Sequence, residues 1–154
     1  MSRARFGAAA VIPALLIASG CGLISDVKSG VDEGINTVNV CNASIELYNG
    51  KIKNVQTAAN KLQAKPGDAA QTTAFYKSIK TEFGAVHTGL TEQIGKAKDV
   101  KVKTALTDLD AQAAALAAKP ESFVANNGAA GKKIDETVGH LNEACSRAEK
   151  SEKK

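Results

Sequence analysis

The chain has 154 residues, with 20 Lys+Arg against 16 Asp+Glu and a net charge of +4. So small an excess, spread along the chain, excludes the dense basic footprint of a nucleic-acid-binding domain. Aromatic residues make up only 4%, tryptophan is absent and the helix formers Ala and Lys are plentiful, beside Leu and Gln, so the composition predicts an all-α protein.

Arg3 and Arg5 precede an apolar run from Phe6 to Ala18, and small residues then lead into Cys21. A positive region, a short apolar region and a small-residue exit make the layout of a secretory signal. The stretch Leu15-Leu16-Ile17-Ala18-Ser19-Gly20-Cys21 resembles the lipobox of bacterial lipoproteins. Ser19 and Gly20 fit the small residues before the cysteine, whereas Ala18 stands where a bulkier aliphatic is usual. The resemblance implies cleavage before Cys21 and acylation of its thiol. The mature protein would then be anchored in lipid on the extracytoplasmic side of a bacterial cell membrane. Two further readings stay open at this point. An ordinary signal peptidase could cut after the small residues and leave Cys21 as a plain thiol. An uncleaved anchor helix is the other, but Pro13 interrupts the run, which falls short of the roughly 20 apolar residues a span needs.

The cysteine count favours acylation. Cys21, Cys41 and Cys145 are three, and an odd number in an exported protein leaves one thiol to explain. With Cys21 carrying lipid, Cys41 and Cys145 are left to pair in the oxidising compartment that export supplies.

Without residues 1–20 the chain keeps 18 basic and 16 acidic side chains, enough length for one domain with one core. Residues 21–37, with Gly22, Gly30 and Gly34, read as a membrane tether. A helical domain is expected over 38–149 and a charged tail over 150–154. The first helix carries Val38, Cys41, Ile45, Tyr48, Ile52, Val55, Ala59 and Leu62 at alternating spacings of three and four, an unbroken seam. Pro66 and Gly67 end it, and Asp68 with Gln71 three residues on forms a capping-box pattern.

The second helix is expected over 69–96, burying Phe75, Ile79, Phe83, Val86, Leu90 and Ile94. Gly84, Gly89 and Gly95 each weaken it by about 1 kcal/mol against Ala, so it depends on packing. A turn at Lys98-Asp99 opens a third helix with Val102, Leu106, Leu109, Ala113 and Leu116 inward, stopped before Pro120. Asn126-Asn127-Gly128-Ala129-Ala130-Gly131 reads as a loop or break. The last helix is expected to resume near Lys132, with Ile134, Val138, Leu141, Cys145 and Ala148 inward.

Four amphipathic helices on short turns predict an up-down-up-down four-helix bundle. In that topology the start of the first helix meets the end of the fourth, which sets Cys41 and Cys145 at one level. The bundle is therefore expected to be closed by a Cys41–Cys145 disulfide.

Chemistry is harder to find. Glu136, His140 and Glu143 share a face of the fourth helix at a spacing open to a metal, but the seam puts that face toward solvent. His87 reads as a boundary residue. Gly131-Lys132-Lys133 lacks the first glycine, the final Ser/Thr and the preceding strand of a phosphate loop. Asn42-Ala43-Ser44 has the form of a glycosylation sequon, inside a helix of a chain with a bacterial signal. The sequence thus points to no catalytic residues, metal or cofactor. It points to a non-catalytic envelope lipoprotein that binds membrane lipid through Cys21 and another envelope component through its bundle. The alternative is a ligand-binding or sensing bundle holding a small apolar molecule, since no bulky aromatic from helices three or four is expected at its centre. Lys96, Lys98, Lys101 and Lys103 gather at the turn between helices two and three. That turn is expected at the tether end, where these lysines would face anionic head groups.

Overall fold

The computed structural model describes residues 32–152. Four α-helices carry them: α1 (Asp32–Ala64), α2 (Ala69–Lys96), α3 (Val100–Ala118) and α4 (Ala125–Glu152). A short 3-10 helix, Pro120–Phe123, sits between α3 and α4, and no strand occurs among the described residues. The signal, Cys21 and the tether as far as residue 31 lie outside the described residues, as do Lys153 and Lys154.

Helix α1 begins at Asp32, six residues before the expected start of the helical domain. Its buried stripe is also wider than the simple seam. Thr37, Val40 and Ser44 are buried beside Cys41 and Tyr48, while Val38 and Ile45 are only half-buried. Packing against two neighbours, α2 and α4, requires a wider stripe than one seam. Ser44 is fully buried, and its hydroxyl donates to the Val40 carbonyl at 2.7 Å, which satisfies it within the helix.

The turn after α1 places Gly67 at φ 84°, the left-handed region that glycine enters without steric cost. Asp68 then caps α2, its Oδ1 accepting from Ala70 N at 2.8 Å and Gln71 N at 3.0 Å. The Asp68 N–H donates to the Lys65 carbonyl at 3.2 Å, so the turn itself satisfies the group a capping-box glutamine would accept. Helix α2 runs over the expected residues and buries Phe75, Ile79, Phe83, Val86 and Leu90, with Ile94 half-buried. Asp99 caps α3 in the same manner, accepting from Lys101 N at 2.8 Å and Val102 N at 2.9 Å. All five residues expected inward on α3 are buried, with Ala105 beside them.

The region after Pro120 departs from expectation. Asn126 to Gly131 do not form a loop: α4 starts at Ala125 and passes through them, with a single left-handed residue, Gly128 at φ 75°. Gly128 and Gly131 are buried, and a Cβ built on Gly131 would lie 3.8 Å from the Phe123 ring. At that distance a Cβ would make ordinary van der Waals contact, so α4 simply packs against this aromatic side chain. Phe123 is 1% exposed and meets Phe75 edge-on, with centroids 6.2 Å apart, and Phe83 at 6.0 Å. A bulky aromatic does fill this part of the centre, delivered by the connection rather than by either helix. Further along α4 the buried positions are Ile134, Thr137, Leu141, Ala144 and Ala148; Val138 and Cys145 are half-buried.

Each helix packs on two neighbours, α1 on α2 and α4, and α3 on α2 and α4, while α1 and α3 barely meet across the centre. The Cys41–Cys145 disulfide is formed, with Cα atoms 5.9 Å apart across 104 residues of sequence. It ties the early part of α1 to the late part of α4.

Candidate functional site at the lysine-bearing end

The link between α2 and α3 is only Ala97-Lys98-Asp99, and it brings the four lysines to one tip of the bundle. Lys96, Lys98, Lys101 and Lys103 are all exposed. They are not equivalent. Lys96 is ion-paired one turn back with Glu92, and this bond and charge hold the Glu92 carboxyl below its usual range. Asp99 spends its carboxylate on the α3 N-terminus, where it also complements the helix dipole. Among the described residues Lys98, Lys101 and Lys103 have no ion-pair partner, so the tip keeps a surplus of positive charge.

Val100 stands among these lysines and is 76% exposed, the one large hydrophobic side chain so exposed among the described residues. It opens a surface groove of about 310 Å3 between the start of α3 and the later half of α4. Ala105 and Ala144 lie in its floor, and Lys101, Asp108, His140, Glu143 and Arg147 stand round it. Arg147 bonds Glu143 at 2.8 Å, a pair exposed enough to open to a ligand. No spacing along the chain announces this groove, because it depends on how α3 is rotated against α4.

The interior offers less room. Between α1 and α2, the crevice beside Tyr48, Ile52, Val55 and Phe83 has no space for a water molecule. Burial pushes the Tyr48 hydroxyl far above its ordinary range, and the Asp135 carboxylate on α4 adds to the shift, so this phenol stays neutral. Partial burial likewise raises Asp135.

His87 is less of a bystander than its position suggested. Its Nδ1 lies 2.7 Å from Asp110 Oδ1, joining α2 to α3, and the Asp110 side chain is largely buried. Nothing in the spacing of 23 residues announces such a pair. Glu136, His140 and Glu143 are all exposed, and no group of three His, Cys, Asp or Glu among the described residues could hold a metal ion. No helix among the described residues is long and apolar enough to cross a membrane. Neither a protein-family model, nor a curated protein, nor a solved structure matches the chain.

Proposed function

We propose that this chain is a lipid-anchored, non-catalytic lipoprotein of the bacterial cell envelope, acylated at Cys21 and acting as an interaction module. Its bundle runs up-down-up-down, so the α2–α3 tip lies at the same end as the start of α1. The observation that carries the reading is the Cys41–Cys145 disulfide. A long-range disulfide persists in an oxidising compartment, which agrees with an export signal. It also leaves Cys21 as the single cysteine available for acylation. The pairing of α1 with α4, together with links of four and three residues after α1 and α2, supports the topology.

In this arrangement Asp32 is eleven residues from Cys21, a reach of at most ~40 Å, and the lysine-bearing tip rests near the membrane. Lys98, Lys101 and Lys103 face the head groups, each contributing ~1 kcal/mol to attraction by an anionic surface, screened by salt. The opposite end, with Pro66 and Pro120, is presented to the partner in the envelope. Two acyl chains suffice for stable anchoring where one does not. The alternative of a small apolar molecule held inside the bundle has against it the Phe75, Phe83 and Phe123 rings that occupy the centre.

Fractionation of cells expressing the wild type and Cys21→Ala tests the anchor. The wild type is expected with membranes and the variant in the soluble fraction, with equal helical circular dichroism. Wild-type protein in the soluble fraction would refute it. For the orientation, the Cys21→Ala chain should bind anionic vesicles at low salt, and replacing Lys98, Lys101 and Lys103 with Gln should abolish that binding. Equal binding to neutral vesicles would reject it.

A further inference from the structure

The α3–α4 groove carries both signs of charge in a fixed order along its length. Lys101 and Arg147 stand at the mouth, beside the lysine-bearing tip. Glu143 lies one turn deeper on α4, and Asp108 two turns deeper on α3, about 10 Å from the level of Lys101 at the helical rise. Thr104, Ala105 and Ala144 lie between these charges, short side chains that leave the space open. Val100 lies at the mouth, exposed and apolar. The volume of about 310 Å3 is at the small end of ligand sites, the size of a head group rather than of a whole lipid.

We propose that this groove binds the phosphoethanolamine head group of a membrane phospholipid, an inference that rests on the membrane-facing orientation given above. The phosphate sits between Lys101 and Arg147; the guanidinium has donors enough to hold it and Glu143 together. The ammonium points inward to Glu143 and Asp108. The glycerol and acyl chains leave over Val100 toward the bilayer.

Charge complementarity decides for this occupant over others. A purely anionic head group would satisfy Lys101 and Arg147 but set its negative charge in a groove that also holds Asp108 and Glu143. An alkyl chain would lay methylenes along two carboxylates, desolvating them without a partner. A quaternary ammonium keeps the charge but has no N–H to donate to either carboxylate. A head group with phosphate outward and a protonated amine inward matches this order of charges, with the His140 ring beside the two carboxylates at the inner end.

The test uses the full chain carrying Cys21→Ala, which changes nothing in the groove, and dihexanoyl phosphatidylethanolamine below its micelle concentration. Amide shifts in 15N–1H spectra are expected to change saturably at Lys101, Thr104, Ala105, Ala144 and Arg147. Asp108→Asn and Lys101→Gln, both at exposed positions, should weaken binding roughly tenfold each while keeping the fold. The dihexanoyl phosphatidylcholine and phosphatidylglycerol analogues should bind weaker by a similar factor. Equal binding of all three lipids, preference for phosphatidylglycerol, indifference to Asp108→Asn, or shifts that never saturate would each overturn the proposal. Because Cys21 is absent from this titration, its failure leaves the anchor standing, and failure of the anchor leaves the titration readable.

Discussion

Gly50, Gly67 and Gly89 stand in three different environments, and a single added methyl group separates them. Gly50 lies on the exposed face of α1 with nothing within 4 Å of a built Cβ. Gly50→Ala should raise stability by ~0.5–1 kcal/mol, since it removes backbone freedom from the unfolded chain and adds no clash. Gly67 sits at φ 84°, so Gly67→Ala should cost ~1–2 kcal/mol although the space is open. Gly89 faces α1, where a Cβ would overlap the Leu47 Cδ2 atom. There the propensity gain of ~1 kcal/mol is set against overpacking of ~1–3 kcal/mol, and a net loss is expected. Denaturant titration of the three variants checks all these signs. The Gly89→Ala loss should shrink in a Leu47→Ala background, as a double-mutant cycle would show.

At the scale of elements, what was legible in the sequence follows from what is local. Helix α2 was readable to its ends because Asp68 caps it and its apolar residues, from Phe75 to Ile94, keep helical spacings of three and four. The seam of α1 was readable in its middle but not at its start, where Thr37 and Ser44 are buried against neighbours despite their hydroxyls. Asn126 to Gly131 misled because two glycines carry a poor helix propensity, and that weak local preference yields to packing against Phe123. The His87–Asp110 pair and the α3–α4 groove were not legible at all, since both exist only once helices have a relative rotation. Among the candidate site residues, the lysines do come to one tip, but Lys96 is spent on Glu92. Phe123 gives the sharpest test at this scale. Phe123→Ala should cost ~3–5 kcal/mol, because it removes a ring packed on Phe75 and Phe83 and leaves α4 without its support. Urea denaturation measures it; a loss under ~1 kcal/mol would mean that the connection, not the ring, holds α4 in place.

For the whole molecule, the disulfide decides how much of the fold survives stress. In the chain-entropy account, a cross-link over 104 residues is worth ~4–5 kcal/mol. Domains of this size have ~5–15 kcal/mol in total, so the staple is a large share. Cys41→Ser and Cys145→Ser, singly and together, should lower the melting temperature by similar amounts while the helical circular-dichroism signal persists at low temperature. A double variant that melts with the wild type would show that packing alone sets the stability. The same bond ties the early part of α1 to the late part of α4, so the two helices cannot part while it stands.

The proposed function requires a lipid on Cys21 and a bond between the remaining cysteines. Non-reducing mass spectrometry of protein purified from membranes tests both at once. The expected result is an N-terminal fragment that starts at acylated Cys21 and a linked pair of fragments joined through Cys41 and Cys145. An unmodified Cys21 thiol, or Cys21 found in a disulfide with Cys41 or Cys145, would contradict the account.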